Sequence, residues 1–485
     1  MTVMEETPSF HMEVSRVSDI SLLLSLTLIA AASLSLLTTP PANGAGLNPV
    51  VEVEDDVFSL QSPDNGAGPM WSYGSSCLTR IGDRVFISAV ESIAETKPLN
   101  NVRWRLLTRG AGGWDLVATG PGRTREPCPL GCFQDGSLFL SDNPTLTRPD
   151  ERAGPAQPEI FLFRASRLAA PPEALVPAWD GHPSFTEHSY RSFAADPKRK
   201  ELILFQNIGY THAEWTFRDR AGNWSAHGKL KWPWGAEYPT PEPIRVCYPT
   251  IALKDHAVYF CGVSDIVEPY PEWREFKKRA TGRDWDYDFR RLFFTWSDDI
   301  RTGRFHDWIE ISSRDKTCGW LTPCDLWVAP DGAVHLLWTE RALDVRLRDK
   351  FFPGEKQTQA LMYAVVRDGK VVLKRPLLIG GEGASGELPG DGRFQITPAG
   401  RVYVFCYVSG QTSDGRPVSE NRVFEVHPDG TSGEAAVVPL KHPFRKFYTA
   451  TWRSGSPPSN LLDLYGACEG KGDTYSYARL RLRGS

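Results

Sequence analysis

The sequence carries little net charge, because its 55 Lys and Arg residues nearly balance its 59 Asp and Glu residues to give -4. Nucleic-acid-binding proteins usually present a basic surface to the phosphates, so the sequence predicts no nucleic-acid partner. Disorder would require few hydrophobic residues and a strong charge imbalance. The 485 residues are 41% hydrophobic and 11% aromatic, so we expect a globular protein.

Cysteine is also scarce, since the chain has nine cysteines, an odd number that is low for its length. The count therefore argues against a disulfide scaffold, even where export would permit disulfides. Several cysteines lie in apolar runs such as residues 258–263 (VYFCGV) and 404–408 (VFCYV). A free cysteine in such a run behaves as a small hydrophobic residue, which indicates a place in the core.

The standard catalytic motifs are missing, including GxSxG, the P-loop, HExxH and paired CxxC. One irregular set of metal-ligating residue types remains, formed by Cys318, Cys324 and His335. Together with a further histidine from an adjacent strand, this set would suit structural zinc, and structural calcium is the other metal considered. We expect no cofactor to be required for the chemistry.

Long apolar runs are limited to one, at residues 20–37 (ISLLLSLTLIAAASLSLL), followed by Pro and small residues. This pattern is typical of a secretory signal peptide, with cleavage near Ala45, although the segment before it is not positively charged. An uncleaved anchor is the alternative, since 18 residues approach the length that spans a bilayer. Residues 1–45 are therefore predicted to be a signal peptide or N-terminal anchor of a secreted or periplasmic protein. Membrane contact is expected only if the segment is retained.

After residue 50, short β-like runs bounded by Gly, Pro, Asn and Asp recur to the end, and no long amphipathic helix is evident. Seven of these segments have the form strand, tight turn, strand. They begin at Cys77, Leu130, Phe193, Tyr248, Cys324, Phe394 and Leu461.

A second turn motif falls between these hairpins, for example at residues 216–228 (TFRDRAGNWSAHG) and 365–374 (VVRDGKVVLK). A short polar side chain and a glycine suit a local turn of the Asp-box kind. Two hairpins per unit make about four strands. The sequence therefore predicts an all-β, seven-bladed β-propeller with four-stranded antiparallel blades over residues 46–485.

The longest departure from this period is the segment 268–296, which is rich in aromatic residues and arginine. Aromatic faces stack on pyranose rings and arginine binds carboxylate or sulfate, so the segment is a candidate sugar-binding rim that includes Arg290. A solvated loop whose aromatic residues pack onto the blade is the alternative.

Histidines near the third hairpin are the best candidates for chemistry. His188 and His212 flank this hairpin, and Arg245 and Tyr248 begin the next one. In a propeller these segments face the central funnel, so the four residues are predicted to converge as a catalytic group. Histidine and tyrosine serve as general base and acid, and arginine neutralises a carboxylate, a set that suits β-elimination on a uronic acid. Structural histidines are the alternative.

Several segments resemble the BNR-repeat, sialidase-like seven-bladed propellers of polysaccharide-degrading bacteria, and among these the propeller ulvan lyases and rhamnosidases. The resemblance lies in residues 65–77, 125–141, 210–224, 244–269 and 281–300, for example NGAGPMWSYGSSC and IRVCYPTIALKDHAVYFCGVSDIVEP. At the level of repeat organisation, the resemblance extends over most of the chain after residue 45.

The resemblance implies a lyase in which paired histidines, a tyrosine and an arginine act on a uronate. His188 and His212 match the pair and Tyr248 the tyrosine, while Arg245, Arg191 or Arg290 would supply the arginine. The substrate-binding candidates are Arg191, Trp215, Arg290 and Trp71. An anionic polysaccharide is the expected partner. A propeller glycoside hydrolase, rhamnosidase-like or sialidase-like, and a non-catalytic glycan-binding propeller remain as alternatives.

Overall fold

The computed structural model describes residues 47–72 and 74–483, so the predicted signal peptide or anchor in residues 1–45 lies outside the described residues. In chain order the strands are β1 Asn48–Ser59, β2 Leu78–Ile81, β3 Arg84–Ser92, β4 Val102–Gly110, β5 Gly113–Thr119, β6 Leu130–Cys132, β7 Ser137–Asp142, β8 Glu159–Arg164, β9 Glu173–Leu175, β10 Ser192–Asp196, β11 Glu201–Ile208, β12 His212–Arg218, β13 Trp224–Lys231, β14 Val246–Lys254, β15 Ala257–Ser264, β16 Ile266–Val267, β17 Tyr287–Asp288, β18 Arg291–Ser297, β19 Ile309–Ser313, β20 Trp320–Val328, β21 Val334–Arg341, β22 Thr358–Arg367, β23 Lys370–Gly381, β24 Glu387–Ile396, β25 Val402–Gln411, β26 Pro417–Val426, β27 Ala436–Val438, β28 Phe444–Thr449, β29 Leu461–Cys468 and β30 Thr474–Arg483. The helices are α1 Pro271–Thr281 and α2 Arg348–Phe351, with short 3-10 turns at Ile300–Thr302, Asp315–Thr317 and Trp452–Ser454.

Apart from β16 and β17, which pair with each other, these strands form seven four-stranded antiparallel sheets, which confirms the predicted seven-bladed propeller. The first six blades are β2 to β5, β6 to β9, β10 to β13, β14-β15-β18-β19, β20 to β23 and β24 to β27. The first strands of neighbouring blades contact one another around the whole ring, from β2 through β28 and back to β2. The ring is therefore closed around a central axis.

The seventh blade closes the ring with strands from both ends of the described chain. Its order is β28-β29-β30-β1, so the N-terminal strand β1 pairs with β30 as the outermost strand. The predicted hairpin at Leu461 is therefore β29 and β30, the second and third strands of its blade. In the other six blades the predicted hairpin is formed by the first and second strands.

Burial along the strands follows from the stacking of blades. Inner strands such as β11 are buried on both faces, because each blade packs against two neighbours, and they accordingly read as continuous apolar runs. The outer strand β13 instead alternates between exposed residues and residues that are half-buried or, at Leu230, buried. Burial on both faces of the inner strands explains why the hairpin runs show little period-2 alternation in the sequence.

The predicted polar turns form with the expected chemistry. In the hairpin between β6 and β7, Asp135 Oδ1 accepts the Ser137 N–H at 3.0 Å, and Gly136 has a φ of +94°. In the turn between β12 and β13, Asp219 Oδ1 accepts the Asn223 N–H at 2.9 Å. Both carboxylates hold the local backbone of a turn, and Asp135 also forms an ion pair with Lys200 at 2.7 Å. The Asp219 turn agrees with a structural role for the Asp-box-like motif.

The central channel holds a segment that the repeat pattern does not reveal. The connection between β28 and β29 carries a 3-10 turn, Trp452–Ser454, against the inner strands β6, β10 and β14. Arg453 in this turn donates to the Gly74 and Ile251 carbonyls at 2.6 and 3.1 Å and to Asp325 Oδ1 at 2.6 Å. One buried guanidinium therefore joins several blades across the axis.

The two ends of the ring differ in construction. We call the end at which the first strand of each blade begins the upper face, and the end at which it finishes the lower face. The upper face carries the insertion of the fourth blade, which forms the ribbon of β16 and β17 and the helix α1. In the described part of the chain, no helix is long and apolar enough to cross a membrane.

Candidate functional site

Segments leading into the first strands of several blades meet on the upper face and form one group of polar and aromatic side chains, which we call the upper-face cluster. Its members are Trp71, Arg125, His188, Tyr190, Arg245 and Tyr248. Four of them, Trp71, His188, Arg245 and Tyr248, are candidates predicted from the sequence, so the structure brings these four together.

The segment before β10 is fixed by Glu126. This buried carboxylate accepts the Ser189 N–H at 2.8 Å and the Ser189 hydroxyl at 2.5 Å. The next residue, Tyr190, has a φ of +43°, in a region that non-glycine residues rarely occupy. Such strain persists only where the surrounding structure imposes it, and it often occurs at functional sites.

Tyr248 is positioned by a bulge in β14. The register with β15 shifts between Cys247 and Thr250, and Tyr248 has a φ of +50°. A bulge re-aims a side chain that a regular ladder would place elsewhere. Gly74 packs so closely on the Pro249 carbonyl that any Cβ there would collide with it. The bulge and this glycine together turn the Tyr248 ring toward Tyr190, 5.1 Å away between ring centroids.

His188 lies between two hydrogen-bonding partners. Its Nδ1 is 2.6 Å from Arg125 Nη1, and its Nε2 is 3.1 Å from the Tyr190 hydroxyl. Arginine has only donors, so Nδ1 must accept and the ring proton must reside on Nε2. The imidazole therefore donates from Nε2 to the Tyr190 oxygen, and Arg125 fixes its tautomer.

The protonation states follow from these surroundings. Partial removal from water, followed by the positive charges of Arg125 and Arg245, lowers the pKa of His188 to about 3, even though its side chain reaches the surface. Burial, followed by Cys247, Tyr248 and Asp265, raises the pKa of the Tyr190 hydroxyl above its ordinary value. At neutral pH the pair consists of a neutral imidazole and a protonated phenol.

Arg125 is a cation without a carboxylate partner among the described residues. Its Nε donates to the Asn65 carbonyl at 2.9 Å, and its guanidinium lies 4.8 Å from the Trp71 ring centroid. Arg245, in contrast, forms an ion pair with Asp265 at 2.9 Å. Of these two arginines, Arg125, which is 7% exposed, is therefore the one whose charge no carboxylate of the described residues neutralises.

Aromatic rings surround the other arginine of the cluster. The guanidinium of Arg245 lies 3.9 Å from the ring centroid of Tyr210 and 5.2 Å from that of Tyr190. Tyr210 comes from the connection between β11 and β12, and its hydroxyl is 3.1 Å from that of Tyr287 in β17. Strand β17 belongs to the insertion, so part of the predicted rim does reach the cluster.

Arg191 lies below the cluster, where it lines a narrow cleft together with Glu126, Tyr190 and Tyr248. It is 4% exposed and donates to the Pro127 carbonyl at 2.8 Å. Its Nε and Nη1 have no hydrogen-bond partner among the described residues. Arg191 is therefore a buried positive charge beneath the site, and its substrate-binding role stays a prediction.

Two further predicted residues lie outside the cluster. His212 is on the upper face, but its Nε2 is 3.0 Å from Glu214 Oε1 and its Nδ1 is 2.7 Å from the Thr211 hydroxyl. None of its hydrogen bonds joins it to His188, and its catalytic role stays a prediction. Trp215 is 1% exposed within the core between the third and fourth blades, so its predicted contact with substrate is not supported.

Arg290 also differs from its predicted role at the sugar-binding rim. Its side chain is 2% exposed and contacts Asp288 at 2.7 Å, Glu268 at 3.0 Å and Asp315 at 3.3 Å. Tyr270 and Trp273 cover the guanidinium. Three carboxylates and two rings leave no side for a ligand, so this part of the insertion packs onto the blade.

The predicted metal ligands have separate surroundings. Cys318 lies beside Arg290 at 3.0 Å, Cys324 packs in the core of the fifth and sixth blades, and His335 Nδ1 is 2.6 Å from the Tyr363 hydroxyl. The register of β20 and β21 places His335 opposite Trp327, away from Cys324. The described residues contain no group of three or more His, Cys, Asp or Glu suited to a metal ion. All nine cysteines are buried and unpaired.

Sequence reasoning did not single out Arg125 and Tyr190. Arg125 begins REPCPLGC, within a segment that carries the family resemblance, whereas Tyr190 lies two residues after His188 and outside those segments. The available signal was the position of each residue in a segment leading into a first strand. The positive φ of Tyr190 and its bond to His188 are visible only in the fold.

A larger cleft, of about 530 Å³, lies on the lower face between the fourth and fifth blades. Its polar lining includes Asp298, Asp368 and His306 but neither arginine nor lysine. His306 stacks on Trp296 at 4.1 Å and bonds Asp298 at 2.7 Å. Carboxylates without a cation would repel an anionic polymer, so the smaller upper site fits the predicted chemistry better.

Solved structures with a similar fold include an ulvan lyase, described as a new family of polysaccharide lyase, bound to a fragment of glucuronic acid linked 1-4 to rhamnose 3-sulfate. The two sequences are 9% identical, the match covers 89% of this chain and 95% of the ulvan lyase chain, and the TM-score is 0.53. A second structure of such an ulvan lyase has the same identity and coverage and a TM-score of 0.51.

An α-L-arabinanase from Penicillium chrysogenum, complexed with arabinobiose, is 12% identical; the match covers 73% of this chain and 92% of the arabinanase chain, with a TM-score of 0.39.

At 9% identity, the similarity to the ulvan lyases shows the fold alone. Comparisons with family models and with curated proteins give no match. The BNR and sialidase relationship therefore stays a prediction.

Proposed function

We propose that this protein is an exported carbohydrate-active enzyme that cleaves a uronate-containing polysaccharide by β-elimination on its upper face. The observation that carries the proposal is the 2.6 Å contact between Arg125 and the neutral His188. In a uronate, the C5 proton is adjacent to the carboxylate. A base beside a cation without a carboxylate partner is the arrangement that this reaction requires.

The first step assigned to these residues is binding of the substrate carboxylate by Arg125. A carboxylate attracts a guanidinium more strongly than a neutral imidazole does, so binding would draw Arg125 away from His188. The Nδ1 lone pair of His188 would then be free to accept the C5 proton. The bound negative charge would also offset the arginine charge that lowers the pKa of His188, making the imidazole a stronger base.

The elimination then balances as follows. The C5 proton passes to His188, the electrons of the C5–H bond form the C4=C5 double bond, and the C4–O4 bond breaks. Tyr190, kept protonated by burial, would donate its proton to the departing O4. Arg245 and Tyr248 hold the phenol from two sides, at 5.2 and 5.1 Å from its ring.

Carboxylate placement favours elimination over hydrolysis. Most glycoside hydrolases use two carboxyl groups that flank the scissile bond. Of the carboxylates that contact the cluster, Glu126 is held by Ser189 and Asp265 by Arg245. The ulvan lyases described above have a similar fold, and one is bound to glucuronic acid and sulfated rhamnose. A polymer of that class is therefore the first substrate to test.

The experiment is incubation of the purified protein with ulvan and other uronate polysaccharides, followed by ultraviolet absorbance and by an assay for new reducing ends. We expect both signals to rise together, because the unsaturated uronate absorbs. Reducing ends without absorbance would indicate a hydrolase. Binding without cleavage would indicate a glycan-binding propeller. Either result would contradict the proposed reaction.

A further inference from the structure

A row of aromatic rings leads away from the upper-face cluster toward the fifth blade. The ring centroid of Tyr248 is 5.8 Å from that of Phe289, which in turn is 4.5 Å from that of Trp320. Phe289 belongs to the insertion, and its carbonyl accepts the Leu321 N–H at 2.7 Å. The insertion therefore connects the cluster to the upper end of β20.

The row ends at a tryptophan that is open to solvent. Trp320 is 36% exposed, and its Nε1 donates to the Thr322 hydroxyl at 3.1 Å. Arg341, opposite Trp320 in the pairing of β20 with β21, places its guanidinium 5.5 Å from the Trp320 ring centroid. Arg341 is also exposed. This end of the row therefore presents an indole and a guanidinium side by side.

We infer that Phe289, Trp320 and Arg341 form a distal subsite that binds a further anionic sugar unit of the same polysaccharide chain. The faces of indole and phenyl rings stack against the apolar face of a pyranose, and a guanidinium binds carboxylate or sulfate. The inference rests on the proposed function, which it deepens by assigning the protein a preference for long, charged chains.

The position of the subsite determines what it does. Three ring-to-ring contacts, of 5.1, 5.8 and 4.5 Å, separate the phenol of Tyr190 from the indole of Trp320. We expect a minimal oligosaccharide at the cluster to end before Trp320 and a longer chain to contact it. Binding at a remote site that is equally strong in the ground and transition states changes KM and leaves kcat unaltered.

The test compares Trp320→Ala with the wild-type protein on a series of uronate oligosaccharides of increasing length. We expect KM for long chains to rise about tenfold, the scale of one lost aromatic contact, with kcat and the values for the shortest substrate unchanged. Trp285→Ala is the matched control, because Trp285 is an exposed tryptophan of the same insertion, with 46% exposure. An unchanged KM for long chains, or an equal change at every length, would overturn the inference.

A second variant tests the charge of the subsite. Arg341→Gln should weaken binding of the anionic polymer and reduce the dependence of binding on salt, since one charge interaction is lost. Equal salt dependence in Arg341→Gln and wild type would contradict the assigned role.

Calorimetric titration of the intact polysaccharide separates this inference from the proposed reaction. If the protein binds without cleaving, and Trp320→Ala weakens that binding, the subsite holds and the lyase reaction fails. If cleavage occurs and Trp320→Ala changes neither KM nor affinity, the reaction holds and the subsite fails. Absence of any binding to anionic polysaccharides would show that the subsite is wrong.

Discussion

Two arginine clusters of this propeller are similar in composition and opposite in design. Arg125 lies over the ring of Trp71, which in turn contacts Tyr190 on the upper face, and Arg125 has no carboxylate partner among the described residues. Arg290 lies beside Tyr270 and Trp273 under helix α1 and contacts three carboxylates. The comparison indicates that a binding cluster differs from a structural one in whether carboxylates neutralise its arginine, more than in its residue types.

The consequences for stability should separate the two clusters most strongly. Arg290→Met leaves buried Glu268 with the Lys277 Nζ, 2.7 Å away, and leaves buried Asp288 without the guanidinium that it contacts at 2.7 Å. Removing one partner of a buried ion pair costs about 3–5 kcal/mol, and we expect a loss of that size in the free energy of unfolding. Urea denaturation measures it. A loss below about 1 kcal/mol, the value typical of exposed pairs, would contradict the structural role.

Arg125→Gln should have the opposite profile. Loss of the carboxylate-binding charge should lower kcat/KM by about 100- to 1,000-fold, the range seen when one stabilising donor is removed. Arg123→Gln is the matched control, since Arg123 donates to the Asn100 and Thr147 carbonyls outside the cluster. Steady-state kinetics on a uronate polysaccharide gives the result. Equal activity in the two variants would remove Arg125 from the mechanism.

A pair of tyrosine variants sharpens the same comparison. Tyr190→Phe removes the proposed acid and should lower kcat by about 100-fold with little change in stability. Tyr270→Phe removes a hydrogen bond to Asp315 at 2.5 Å and should cost about 1 kcal/mol of stability with activity retained. Kinetics and thermal unfolding of both variants provide the check. If each variant shows the behaviour expected of the other, our assignment of the two clusters is reversed.

Much of the architecture could be predicted from the sequence because a repeat imposes its own signal. The hairpins at Cys77 and Phe394 read as strand, turn and strand, since their turns contain Gly82 and Gly400, both with positive φ. The closure of the seventh blade by the N-terminal strand produces no such pattern in the sequence. Strand β1 pairs with β30 from the other end of the chain, and local patterns do not report pairing over that distance.

The site was predictable only in part, for a related physical reason. His188 and Tyr248 could be proposed because His188 precedes one hairpin and Tyr248 begins the next, and hairpin starts in a propeller face the funnel. Arg290 and Trp215 have equally suitable chemistry, but their burial depends on packing between blades. Tyr190 was missed because its orientation follows from a positive φ that Glu126 imposes through Ser189.

The smallest expected effect concerns protonation of His188. Its pKa is lowered to about 3, first by partial removal from water and then by Arg125 and Arg245, so the free enzyme should show no activity inflection near pH 6.5. Arg125→Gln removes one of these charges and should move the pKa upward, as followed by NMR titration of labelled histidine. Arg123→Gln should leave the titration unchanged.

The free energy of unfolding should also depend on the protonation of His188, and it should decrease as the pH falls. The unfolded chain binds a proton at His188 below about pH 6.5, whereas the folded protein does so only near pH 3, so stability from this residue falls as pH drops between these values. In Arg125→Gln the interval should narrow, because the folded pKa moves toward the unfolded one. An ordinary histidine titration in the wild-type protein would show that Arg125 does not act on His188, and the contrast with the neutralised Arg290 cluster would lose its electrostatic basis.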